Sequence, residues 1–236
     1  MTKQVKSKER VQEHGEVFTA EREVKAMCDL VKQETERIDS RFLEPACGDG
    51  NFLAEIVRRK LAVCRKRYKN NAYDFERYSV LAMTSIYGVD ILQDNVDECR
   101  ARMFEIWNKE YEDVCKKACN NDTRDAVIYI LSKNILCGNA LSLMCVDDEQ
   151  KDIPGQPIIF AEWSMLAGTK LKRRDFRLDV LLKVNDKPKN EGQVGLFDIP
   201  PELEPYISIN PVTKEYMAEP IREYPPVHYR RIVDNG

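Results

Sequence analysis

Phe42-Leu43-Glu44-Pro45-Ala46-Cys47-Gly48-Asp49-Gly50-Asn51-Phe52-Leu53 is the stretch on which the fold turns. A short apolar run ends on an acidic residue. A turn with two glycines follows, and then an amphipathic helix begins, with Phe52, Leu53, Ile56, Leu61 and Val63 at its apolar positions. This is a strand–loop–helix unit of the kind that cradles a nucleotide-like cofactor. Glycine lets the backbone approach a ligand closely, and a helix N-terminus offers unpaired N–H groups to an anionic group.

Upstream, Val24, Met27, Cys28 and Val31 share one face of a helix expected over 20–35, with Thr19 as its N-cap. The first strand runs from Ser40 to Glu44 and the helix after the glycine turn covers 51–67, ending at the polar Asn70-Asn71. A short helix over 76–83 precedes a second strand, Ser85-Ile86-Tyr87-Gly88-Val89-Asp90. Val96, Cys99, Met103, Ile106 and Trp107 recur at intervals of three and four and predict a long helix that continues through Val114. A further helix near 123–132, a third strand at 134–139 and a fourth at 157–162 complete the pattern. Strands alternating with helices predict an α/β fold with a doubly wound, mostly parallel sheet. Ligands of such sheets lie beyond the carboxyl ends of the strands, where Glu44, Asp90 and Asn139 fall.

The 236 residues suffice for one substantial domain. Residues 1–15 read as a flexible basic lead without the apolar core of a secretory signal, and 16–182 as the cofactor-binding domain. Eight of the 11 prolines fall after Leu182, so 183–236 reads as an extended, Pro-rich tail that packs along the domain or docks on a partner. No apolar run reaches the roughly 20 residues that span a bilayer. The eight cysteines form no Cys-x-x-Cys pair and only two histidines are present. No metal site is expected, and the thiols read as reduced and buried in a cytoplasmic protein. Net charge is −3, against the basic excess usual for a protein that grips DNA alone. Cations cluster instead at Arg58, Arg59, Lys60, Arg65, Lys66, Arg67 and Lys69, and at Lys170, Lys172, Arg173, Arg174 and Arg177. Each cluster reads as a solvated helix face or loop.

At the site, Gly48 and Gly50 form the tight loop, Asp49 faces its surface, and Glu44 reaches a cofactor ammonium directly or through water. Asp90 accepts two hydrogen bonds from ribose hydroxyls, Ile91 packs on a base, and Asn139 bonds the base edge. Plainer roles stand beside these. The glycines also suit an ordinary turn, Asp90 a helix N-cap and Asn139 a turn.

The segment 43–53 resembles the cofactor-binding motif of N6-adenine DNA methyltransferases, the modification subunits of restriction systems. Gly15-Glu16-Val17-Phe18-Thr19 is similar to the motif that precedes it there, Gly88-Val89-Asp90-Ile91 to the second-strand motif, and Gly138-Asn139-Ala140-Leu141 to the third. The resemblance spans residues 10–145. It implies a Rossmann-like methyltransferase fold and S-adenosyl-L-methionine as cofactor, held by Phe18, Thr19, Glu44, Ala46, Gly48, Gly50, Asp90, Ile91, Asn139 and Ala140. The family's catalytic Asn or Asp, Pro, Pro and Tyr or Phe, expected at the end of the fourth strand, has no match at Ala161-Glu162-Trp163-Ser164-Met165. Asn210-Pro211-Val212 lies in the tail, and Pro200-Pro201 and Pro225-Pro226 lack the preceding Asn or Asp. Glu162 as acceptor and Trp163 as stacking platform are the substitutes at that strand; the plainer reading makes Trp163 a core ring and Glu162 a surface carboxylate.

Three functions follow. The first is an adenine-specific DNA methyltransferase subunit, active alone or with a partner, in a hetero- or homo-oligomer, that supplies DNA target recognition. The second is a catalytically inactive homologue acting as auxiliary partner or decoy. The third is a methyltransferase for RNA, protein or a small molecule.

Overall fold

The structure is a computed structural model and describes residues 19–185 and 199–235. Its centre is a parallel sheet of three strands, β1 (Phe42–Glu44), β2 (Ile86–Asp90) and β3 (Ile135–Cys137), in the order β1-β2-β3. Helices α1 (Glu21–Leu30) and α2 (Lys32–Thr35) precede it. Helices α3 (Asn51–Tyr68) and α4 (Ala72–Met83) join β1 to β2, and α5 (Gln93–Cys115) and α6 (Asn121–Asn134) join β2 to β3.

The two faces of β2 have different neighbours because strand side chains alternate. Ile86 belongs to the large core formed with α1 and α3–α6, where Trp107 stacks on Tyr111 and donates its indole N–H to Ser79. Tyr87 and Val89 face a second cluster with Ile158, Phe160 and Leu178. The winding therefore differs from the doubly wound expectation. Sequential strands lie side by side, the strand order does not reverse among the described residues, and the second face is met by β-structure.

That β-structure contains the expected fourth strand. The segment forms β6 (Ile159–Met165), which follows a small hairpin of β4 (Met144–Val146) and β5 (Asp152–Pro157). It pairs antiparallel with β7 (Lys170–Arg177), with Glu162 opposite Arg174 and Trp163 opposite Arg173. A four-residue turn through Gly168 (φ 77°) joins them, too short for a crossover to a parallel neighbour.

The second basic cluster is thus a strand, and four of its five cations, Lys172, Arg173, Arg174 and Arg177, are matched within the protein. Arg173 is buried on Asp175 and lies 4.3 Å over the Tyr224 ring, Arg174 and Arg177 bind Glu162 and Asp179, and Lys172 binds Glu223. In the first cluster Lys60 is fully buried. Its ammonium donates to the carbonyls of Arg37, Ile38 and Ser40 and to Ser85 Oγ, tying the middle of α3 to the chain entering β1 and β2. Burial pushes it down to about 7, and these oxygens favour the protonated form.

The chain continues through α7 (Leu178–Asn185), a hairpin of β8 (Ile207–Ile209) and β9 (Tyr216–Ala218), and the short strands β10 (Arg222–Glu223) and β11 (Val227–His228). The last two pair with the free edge of β7. A final 3-10 segment, Tyr229–Asn235, buries Tyr229 and Ile232 in the main core. There Glu76, buried on α4, accepts from the hydroxyls of Tyr111 and Tyr229 and from the Arg230 guanidinium. The described tail residues from Arg222 on pack along the domain through β10, β11 and the 3-10 segment; 186–198 lie outside the described residues. Among the described residues no helix is long and apolar enough to cross a membrane.

The sequence places other boundaries closely. Helix α4 starts four residues earlier than expected because Asn71 caps it, accepting from the Asp74 N–H at 3.2 Å. Thr19 is not the cap of α1; Ala20 holds that position and supplies no side-chain hydrogen bond.

Candidate functional site

A cleft of about 470 Å³ opens at the carboxyl end of the parallel sheet. Its lining brings together Thr19, Glu44, Ala46, Gly48, Asp90, Ile91, Asn139 and Ala140, which lie up to 121 residues apart in the chain. Gly50 stands behind the wall as the N-cap of α3, and Phe18 lies outside the described residues.

The glycine loop owes its shape to two left-handed residues, Gly48 (φ 52°) and Gly50 (φ 87°). Gly50 is fixed twice over. Its φ disfavours any side chain, and an added Cβ would sit 2.7 Å from Cys99 Sγ and 3.1 Å from Met103 Cε on α5. Gly50 has no side chain to cap α3, so the N–H groups of the first turn, starting at Asn51, receive no side-chain cap.

Asp90 ties the strand ends together. Oδ2 accepts from the Gly48 N–H at 2.9 Å, and Oδ1 accepts from the Leu92 N–H at 3.0 Å and Asn95 Nδ2 at 3.2 Å. It therefore organises the loop as well as lining the cleft, and Oδ2 keeps a lone pair for a ligand hydroxyl. Glu44 is half-buried, and burial raises its carboxyl above the usual value; among the described residues its only close donor is a long contact from the Ala46 N–H at 3.4 Å.

Asn139 follows its plainer reading as a turn residue. Oδ1 accepts from the N–H groups of Leu141 and Ser142, and Nδ2 donates to Asp152, which leaves one amide hydrogen for a ligand. Asp49 does not face the loop surface as expected. It is 8% exposed, with Oδ2 bound to Arg102 of α5 at 2.7 Å. Sequence reasoning did not single out Arg102, because nothing in a helix pattern marks an arginine that reaches back 53 residues.

The substitute catalytic pair lies elsewhere. Glu162 is held between Arg41 and Arg174. It lines a separate groove of about 480 Å³ with Arg41 and Phe42, at the end of β1 away from Glu44, and that groove shares no residue with the cleft. Trp163 is buried, donates its indole N–H to Asn134 at 2.8 Å and packs edge-on to Tyr129. Neither reaches a group bound in the cleft. Asn210 forms the turn between β8 and β9, accepting from the Val212 and Thr213 N–H groups. Cys47 is not a nucleophile: its hydrogen bond with Cys99 and its burial hold the thiol far above the reactive range. Among the described residues no His, Cys, Asp and Glu cluster is suited to a metal ion.

The lining contains three carboxylates, Glu44, Asp90 and Asp49, of which Asp49 is neutralised by Arg102 behind the wall, and among the described residues no Lys or Arg lines the cleft. Such a cleft opposes polyphosphates and favours a ligand that carries positive charge together with hydroxyl donors. No protein-family model, curated protein or solved structure matches the chain.

Proposed function

We propose that the cleft binds S-adenosyl-L-methionine and that this chain is the donor-binding, methylase-like subunit of an adenine-N6 DNA methyltransferase of a restriction-modification system. The observation that carries the reading is the Gly48 N–H to Asp90 hydrogen bond. It joins the glycine loop after β1 to the carboxylate ending β2, in a cleft also lined by the loop after β3. The residues fit the group. The uncapped first turn of α3 suits the methionine carboxylate, Glu44 its ammonium, and Asp90 a ribose hydroxyl. The anionic lining suits a sulfonium.

When bound, S-adenosylmethionine supplies a methyl group on a positively charged sulfur, open to attack by an amine. The chain's own residues bind and orient the donor. The described lining holds no Asn or Asp followed by two prolines and an aromatic ring to position an acceptor base. This favours the auxiliary reading, in which a partner supplies DNA recognition and the acceptor-holding residues, over methylation by this chain alone.

Calorimetry with S-adenosylmethionine tests the first part. Asp90→Ala removes the acceptor for the ribose hydroxyls and frees the Gly48 N–H that it holds; loss of two charge-assisted bonds to the ligand, roughly 1.5 kcal/mol each, weakens binding about 100-fold. Gly48→Val places a β-branched residue at φ 52° and has a comparable effect. Wild-type affinity in both variants sinks the assignment. The second part is read from tritiated methyl transfer to unmodified DNA, with and without candidate partner chains. Turnover by this chain alone removes the auxiliary reading.

The pH profile follows from Glu44. Its carboxyl, raised by burial, must be ionised to hold an ammonium, so affinity falls as pH drops through its raised value. Titrations from about pH 8 to about pH 5 give a steeper fall for the wild type than for Glu44→Gln. Parallel profiles exclude Glu44 as the ammonium's partner.

A further inference from the structure

Arg102 grips the glycine loop on both sides of Gly50. Its guanidinium donates from Nη1 to Asn51 Oδ1 at 2.6 Å and from Nη2 to Asp49 Oδ2 at 2.7 Å. Cys99 and Met103, one helical turn apart on α5 and flanking Arg102, pack where a Cβ on Gly50 would lie. The loop is moulded on one face of α5.

The charge arrangement gives this grip a purpose. Asp49 immediately precedes the N-cap of α3, and a carboxylate there is attracted to the helix N-terminus. It would compete with a ligand anion for the first-turn N–H groups. Asp49 is more than nine-tenths buried in the cleft wall, and among the described residues its Oδ1 has no hydrogen-bond partner. Its Oδ2 is turned onto Arg102.

We propose that Arg102 is a positioning residue for the donor site. It neutralises Asp49 and holds it off the N-terminus of α3, so that the first-turn N–H groups stay available to the carboxylate of the bound donor. The proposal rests on the donor-binding reading above. It predicts that removing Arg102 alone does more harm than removing Arg102 and the Asp49 charge together. A merely structural ion pair shows that order in melting temperature as much as in affinity, so the two are read together.

The test is calorimetry with S-adenosylmethionine on the full chain, with melting temperatures measured in parallel. Arg102→Met is expected to weaken binding at least about tenfold, the effect of losing one charge-assisted contact. Asp49→Asn combined with Arg102→Met is expected to recover most of that loss without a matching gain in melting temperature. Arg102→Met within twofold of wild type, or a double variant no better than it, overturns the proposal. If the wild-type chain binds no S-adenosylmethionine, the donor-binding reading fails. The grip is then judged by amide hydrogen exchange in the free protein. Faster exchange in Arg102→Met confined to residues 48–53 sustains it as a loop-positioning contact, and unchanged exchange there overturns it.

Discussion

Lys60→Met is expected to destabilise the protein by at least about 3 kcal/mol, since a buried acceptor left without its donor costs about 1–3 kcal/mol. Three carbonyls, of Arg37, Ile38 and Ser40, lose their shared ammonium, and methionine offers nothing in return. For a domain of this length the shift in melting temperature is roughly 6–12 °C. Thermal unfolding at about pH 6, where the ammonium keeps its proton, measures it. Lys66→Met, on the exposed part of the same helix, is the control and stays within about 0.5 kcal/mol of wild type. Equal effects of the two substitutions contradict the cage. The damage should extend to the cleft, because Lys60 fixes α3 against the start of β1 and the N-terminus of α3 forms the cleft wall.

Glu76→Leu has the other large effect. The carboxylate receives two tyrosine hydroxyls and Arg230, and removing it strands them against the core. Breaking a buried pair by deleting one partner costs about 3–5 kcal/mol. The loss should appear first around Tyr229 and Arg230, whose side chains both donate to this carboxylate. Trypsin is expected to cut after Arg230 and Arg231 in Glu76→Leu under conditions where the wild type is protected. Equal protection in both chains excludes the carboxylate as the anchor of this segment.

The parts of the fold legible in the sequence are those with a local signal. The strand–loop–helix unit at 42–53 has its apolar run, its glycines and its helical period in one window, and the structure forms it within a residue or two of the expected limits. Asp90 and Asn139 could be placed at strand ends because a strand followed by a helix or turn fixes where the ladder stops. What was illegible depends on partners distant in sequence. Strand β7 reads as a run of cations, Lys170-Leu171-Lys172-Arg173-Arg174, and only the fold shows that Asp175, Glu162 and Glu223 neutralise it. Lys60 sits in a basic run and is indistinguishable there from Arg58 or Lys66, although it alone of the three is buried. The antiparallel direction of β6 was hidden because a buried strand has the same composition in either orientation. The short turn at Gly168 is the one local sign of that direction, since it leaves no room for a crossover.

The attachment of Arg230 to Glu76 also bears on how the chain is made. Glu76 leaves the ribosome 154 residues before Arg230, an interval of about 8–30 s at 5–20 residues per second. The Tyr111 hydroxyl follows after 35 residues, but Tyr229 and the counter-charge of Arg230 come only at the end of the interval. The helical core can then reach its final packing only once the segment around Tyr229 and Arg230 has been made, so a pocket built early waits on residues added much later.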